Sequence, residues 1–211
     1  IVSYTGTGSA GTIKHGLSSV PYMIIVKKRS ATGSWNVYHS SLGNTKAIQL
    51  DLTSTPDTNS GYWNNTSPTS SVLSLGTSAQ VNGSGVTYIG YIFSEKQAYS
   101  KFGSYTGNGN ADGTFVYTGQ KSAFIMLKNT TRAASWLMYD NKRLGYNVDN
   151  NELVANTNAA EETYDQIDIL SNGFKMRANG TSTNLNGDTY IYMAFAENPF
   201  VASNFNAATA R

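Results

Sequence analysis

The 211-residue chain predicts an all-β fold of two tandem jelly-roll β-sandwiches, on three observations: its sequence is written twice, its apolar segments are short and bounded by turns, and its composition favours strands. Tyr4-Thr5-Gly6-Thr7-Gly8 returns as Tyr105-Thr106-Gly107-Asn108-Gly109, Met23 to Lys27 as Phe124 to Lys128, and Ser34-Trp35 with Tyr38 as Ser135-Trp136 with Tyr139. These matches share one offset, since 105 − 4, 128 − 27 and 136 − 35 each give 101. A later block, Thr87-Tyr88-Ile89 through Phe93 and Glu95, is answered by Thr189-Tyr190-Ile191 through Phe195 and Glu197 at an offset of 102. A period of that length is too long for a solenoid repeat and fits a small domain. A first copy is therefore expected over residues 1–102 and a second over 103–211.

Taken in order, the strand candidates of the first copy are Tyr22 to Lys28, Trp35 to His39, Ala47 to Leu52, Val72 to Leu75 and Val86 to Glu95. In the second copy they are Ala123 to Lys128, Trp136 to Asp140, Gln166 to Leu170, Phe174 to Arg177 and Thr189 to Ala196. Each alternates or runs apolar over a few residues between turn signals. The turns are Thr32-Gly33, Asn82-Gly83, Ser84-Gly85, Asn172-Gly173, Asn179-Gly180 and Asn186-Gly187. Several strands at this spacing, with no amphipathic helix between them, argue an antiparallel sandwich for each copy. Leu153 to Thr163 alone tolerates a helix, and it is short enough to read as a loop or one turn. The last strand of each copy, Tyr88 to Phe93 and Tyr190 to Phe195, carries large side chains on both faces, which predicts an interior place in its sheet.

Composition narrows the function. The absence of cysteine excludes disulfides, thiolate metal sites and cysteine nucleophiles, and leaves the compartment open. Charged residues are 13% of the chain, about half the usual share, with Gly, Ser, Thr, Asn and Tyr in their place. That neutral polar surface suits a long-lived extracellular or virion protein. A net charge of +2 with one basic run, Lys27-Lys28-Arg29, is too little for a nucleic-acid partner, and the run reads as the solvated end of a strand. No apolar window long enough to span a membrane occurs. The chain starts at Ile1 and runs at once into the repeat, which suggests the C-terminal piece of a longer protein.

Catalytic chemistry finds little support. His15 and His39 are answered in the second copy by Tyr or Thr near position 116 to 118 and by Asp140, so neither belongs to a duplicated site, and no nucleophile elbow is present; His15-Gly16 reads as a turn. Asp165 and Asp168 are three apart and point to opposite faces of a strand, so they cannot flank one glycosidic bond. Glu95 and Glu197, kept in both copies, read as structural partners of a turn or a lysine. Asn108 to Gly113 imitates the start of a calcium loop but lacks its leading Asp and closing Glu. Trp35 and Trp136 occupy matching positions and read as core. The expectation is a non-enzymatic protein with no cofactor and no metal.

The copies differ most in Asp51 to Ser71 and Tyr146 to Asp165, and loops that diverge in a duplicated fold are where recognition is expected. In the first, Tyr62, Trp63, Asn64 and Asn65 are the candidate ligand-binding residues, as aromatics unique to one copy in a polar loop. In the second, the most acidic stretch of the chain, they are Asp149, Asn150 and Glu152. Sugar rings stack on Tyr and Trp faces while Asn and carboxylates take the hydroxyls.

The Tyr-Thr-Gly-x-Gly openings, His15-Gly16-Leu17 followed by Pro21 and Met23 to Lys27, and Trp35 with Val37-Tyr38-His39 carry a resemblance. So do Phe115 to Gly119, Tyr146-Asn147-Val148, Leu170 to Lys175 and Ala194 to Phe200. Together they are similar to a repeated domain of tail-fibre and other structural proteins of tailed bacteriophages. The resemblance implies a concanavalin-like or laminin-G-like β-sandwich in a virion protein, and it carries over no catalytic residue. The family's molecular role is poorly defined; with the duplication and the polar uncharged surface, the likeness leads to the expectation of an exposed tail-fibre or appendage module whose partners are other virion proteins and a host-surface glycan or receptor. The alternative is an architectural capsid or tail decoration without receptor binding, and a carbohydrate-active enzyme comes last. A homotrimer, common in fibres, is compatible with this, although no heptads appear.

Overall fold

The structure is a computed structural model that describes residues 1–143, 147 and 151–198. The chain divides into two compact units, Ile1–Ser94 and Glu95–Arg211. The division comes earlier than residue 102, because the strand Ser100–Thr106 pairs along its whole length with the last strand of the second unit.

In the first unit the elements are β1 (Val2–Thr5), β2 (Gly11–Lys14), β3 (Pro21–Lys28), β4 (Asn36–His39), β5 (Lys46–Gln49), β6 (Asp57–Thr58), α1 (Ser60–Trp63), β7 (Val72–Leu75), α2 (Ala79–Asn82) and β8 (Thr87–Ser94). Six of them form one antiparallel sheet in the order β1-β8-β3-β4-β5-β6, and β2 pairs β7 in a second. The second unit runs β9 (Ser100–Thr106), β10 (Phe115–Tyr117), β11 (Ser122–Asn129), β12 (Trp136–Asp140), β13 (Asn151–Val154), β14 (Glu162–Thr163), β15 (Ile167–Leu170), β16 (Gly173–Met176) and β17 (Thr189–Ala196). Its large sheet is β9-β17-β11-β12-β13-β14 and its small one β10-β16-β15.

The two large sheets have the same strand order, position for position. Even the irregularity is repeated: the β3–β8 ladder shifts register between Pro21 and Met23, and the β11–β17 ladder between Ser122 and Phe124. The strands β8 and β17 each lie between two partners, as their two apolar faces predicted. Each unit packs its small sheet over one face of the large one, and the core is what lies between, as in a β-sandwich. In the first unit Ile24, Val26, Tyr38 and Tyr88 of the large sheet meet Leu73 and Leu75 of β7. In the second Ile125, Leu127, Leu137 and Tyr192 meet Ile169, Phe174 and Met176.

The repeated opening motif has a mechanical role. The Asn82 side chain accepts from the Thr7 amide and donates to the Ser9 and Gly76 carbonyls. Asn184 does the same with the Asn108 amide and the Asn110 and Ala178 carbonyls. Gly6 and Gly107 are required beside it, since a Cβ there would stand 2.3 Å from the carbonyl oxygens of Gly83 and Leu185.

Several expectations need correction. Asn82 ends the helix α2 and is buried, so Asn82-Gly83 is a helix terminus and not a plain turn. Leu153 to Thr163, read as a loop or one turn, also holds the end of β13 and the strand β14, because those strands extend the sheet edge beyond β12. Trp136 is buried, but Trp35 is only half-buried, lying against Tyr91 with the Lys27 ammonium over its ring. The largest difference between the units lies before the second strand of the small sheet. There the first unit has the helix α1 and the second has the strand β15.

Candidate functional site

Tyr62 and Trp63 belong to the core, with exposures of 7% and 2%. Asn59 starts α1 by accepting from the Gly61 amide through its side chain, and Asn64 ends it in a left-handed conformation at φ 52°. These caps satisfy the ends of a single turn and direct both aromatics inward. The Trp63 indole donates to the Lys46 carbonyl at 2.9 Å and meets Tyr38 edge-on, with ring centroids 5.9 Å apart. The sequence does carry the signal, in asparagines that flank the aromatic pair. Asn64 and Asn65 are exposed, with φ of 52° and 48°, so they reverse the chain after the helix.

In the second unit Asp149 and Asn150 lie outside the described residues. Glu152 is described, and it is 4% exposed rather than a surface acid. One carboxylate oxygen accepts from the Tyr139 hydroxyl at 2.5 Å and from the Gln166 amide at 2.9 Å. Gln166 in turn accepts from the Thr183 hydroxyl, and the Thr183 carbonyl accepts from Tyr105. Burial pushes the Glu152 carboxyl above its ordinary range, the Tyr139 hydroxyl pulls it back, and Glu162 across the strand pair pushes it up again. Burial and the Glu152 charge likewise hold Tyr139 neutral. The network joins β12, β13 and the start of β15 inside the core, so its chemistry is cohesive. The predicted site residues are thus dispersed: a buried pair and a chain reversal in one unit, and a buried acid in the other.

The other ionisable groups that the sequence singles out have structural partners among the described residues. His15 accepts from the Leu17 amide at Nδ1 and its Nε2 lies 3.0 Å from the Thr69 carbonyl, which shapes the expected turn at Gly16. His39 accepts from the Ser41 amide, and Asp140, its counterpart, accepts from the Lys142 amide. Glu95 pairs with Lys101 at 2.7 Å and Glu197 with Lys121 at 2.8 Å, so both conserved acids are partners of lysines as read. Lys27 and Lys128 each donate to a carbonyl six residues on, Gly33 and Ala134, and lie over the equivalent tryptophans. Burial brings Lys128 down to about 8. In the calcium-like loop the Asn108 and Asn110 oxygens accept backbone amides, and Lys175 takes Asp112. Among the described residues no cluster of three His, Asp or Glu side chains is placed to hold a metal.

The small sheets carry exposed residues that the two units do not share. Ile13 on β2 and Val116 on β10 are the inward residues, each opposite an apolar partner, Leu73 and Phe174. Flanking them outward are Thr12 and Lys14 in the first unit, and Phe115 and Tyr117 in the second. Phe115 is 45% exposed and Tyr117 65%. Across the second sheet the outward rows read Phe115, Lys175, Asp168 and then Tyr117, Gly173, Leu170. The first unit offers instead an open polar hollow of about 440 Å³ lined by Lys14, Gly16, Ser18, Ser70 and Ser71.

Compared with known families, residues 1–199 match one family model, described as a domain of unknown function (DUF7483). The match spans both units, so the pair as a whole falls within one family model. No curated protein and no solved structure matches the chain.

Proposed function

The chain belongs to this DUF7483 family, and we propose, on the likeness of its repeated motifs, that it is a non-enzymatic module exposed on a tailed-bacteriophage virion, on a tail fibre or similar appendage, contacting a host-surface glycan or receptor. We read each unit as a jelly roll of the concanavalin or laminin-G kind, a six-stranded sheet facing a smaller one. The resemblance of the repeated motifs to phage fibre domains supports the setting, and the low charge supports an exposed location.

The observation that carries the binding role is an asymmetry. Two units with matched large sheets use their shared polar residues as scaffold, while the second alone exposes two aromatics on one strand, Phe115 and Tyr117. Exposed apolar surface costs solubility, and a binding role accounts for keeping two rings exposed on one strand.

The test is adsorption. Purified chain, fluorescently labelled, is expected to bind whole cells of a responsive strain in a bacterial panel and to compete with phage particles carrying it. Absence of binding across the panel, with normal adsorption of particles lacking the segment, would overturn the reading in favour of a decoration protein.

A further inference from the structure

We propose that the outward face of β10-β16-β15 is a carbohydrate-binding face that takes neutral oligosaccharides, sugar rings stacking on Phe115 and Tyr117. This deepens the host-contact reading and rests on it.

The geometry of the two rings is the first ground. The Phe115 ring atoms Cε2 and Cζ stand 3.1 Å from where a Cβ on Gly173 would lie, so the ring leans over β16 and occupies space that only glycine leaves. Tyr117 lies beside Gly119, its hydroxyl 3.5 Å and two ring atoms 3.7 Å from where a Cβ there would stand. Phe115 and Tyr117 are 45% and 65% exposed, so both rings offer surface to solvent. A ring face is what the C–H groups of a pyranose pack on, while its edges are reached by hydrogen-bonding groups.

The second ground is charge. The groups bordering the rings are ion-paired with each other: Lys175 with Asp112, and Arg177 Nε with Asp168 at 3.3 Å. Two cations and two anions leave the face without net charge, which complements a neutral ligand and opposes an acidic one. Their free N–H and oxygen positions remain to donate to and accept from hydroxyls. A protein partner is disfavoured by size, since a stable interface buries roughly 800 Å² per partner around an apolar centre, and two rings interrupted by charges supply no such centre.

The first unit supplies a natural control. Thr12 and Lys14 stand in place of Phe115 and Tyr117 on an equivalent strand, so the double variant Phe115→Thr/Tyr117→Lys copies a surface this fold already carries. The experiment measures binding of the full chain and of this variant to immobilised neutral gluco-, galacto- and manno-oligosaccharides, with uronate-bearing and sialylated oligosaccharides alongside. The wild type is expected to bind at least one neutral class, and the variant to bind it at least tenfold more weakly with an unchanged melting temperature. Equal binding by the variant, preference for the acidic set, or no binding to any oligosaccharide would overturn the proposal. Cell adsorption separates the two levels. If the wild-type chain adsorbs to cells and the variant adsorbs equally, this face is wrong and host contact stands; if the wild type does not adsorb, host contact falls.

Discussion

Tyr105 lies stacked on Tyr190, ring centroids 4.9 Å apart and planes within 10°, and its hydroxyl donates to the Thr183 carbonyl at 2.6 Å. The first unit repeats the arrangement with Tyr4 on Tyr88 at 5.1 Å and a 2.6 Å bond to the Val81 carbonyl. The lower tyrosine of each stack closes the loop as well: Tyr88 donates to Ala79 and accepts from Gly83, and Tyr190 donates to Thr181 and accepts from Leu185. Motif conservation between the copies is therefore conservation of a joint between the first strand, the last strand and the loop before it.

Tyr105→Phe tests that joint. The substitution keeps the stack and removes the hydroxyl, leaving the Thr183 carbonyl without that donor in a fully buried site. Loss of a buried partner costs about 1–3 kcal/mol, so the urea midpoint is expected to fall with an unchanged slope. Tyr4→Phe is expected to shift it in the same direction. A midpoint equal to wild type for Tyr105→Phe would mean that the bond contributes nothing.

Trp63→Ala distinguishes a core tryptophan from a surface one. A buried tryptophan truncated to alanine costs about 3–5 kcal/mol through lost transfer energy and a residual cavity, whereas an exposed one costs within about 0.5 kcal/mol. The expected outcome is a large loss of amide-exchange protection in β3, β4 and β8, whose Ile24, Tyr38 and Tyr88 share that core. Protection unchanged in those strands would place the indole outside the core.

How much of this was legible in the sequence follows from where each signal comes from. The long strands were visible because alternation and apolar runs mark strands inside a sheet: Tyr190 to Phe195 is buried on both faces for most of its length, and Tyr88 to Phe93 on one face with the other half-buried. The edge strands β1, β2 and β10 were missed because an edge needs few apolar residues: β2 buries little beyond Ile13. The helix α1 was missed because four residues carry no period, and its caps look like loop composition. Trp63 and Tyr62 were misplaced for the same reason, since a residue unique to one copy suggests recognition unless a unique element, here α1 where the other unit has β15, turns it inward. Phe115 and Tyr117 stood in the quoted motif from the start. Their exposure depends on Val116 being the inward residue of a strand too short to read.

The acid Glu152 gives a prediction in which pH separates a buried structural carboxyl from a surface ligand. In the unfolded chain it titrates near its ordinary value of 4.5, and in the folded chain higher, chiefly because it is buried. Between those two values the folded state keeps a proton that the unfolded state has lost. The folded state then binds more protons, and stability declines as pH rises. This contribution is complete below 4.5 and is gone once pH passes the folded value. Glu152→Gln retains an oxygen to accept from Tyr139 and Gln166 but cannot titrate. Urea denaturation across a pH series is therefore expected to show the wild type losing stability relative to Glu152→Gln as pH rises from about 4.5 toward neutrality. Parallel curves for the two proteins would mean that the carboxyl sees solvent, and would return Glu152 to the surface role that its acidic neighbourhood first suggested.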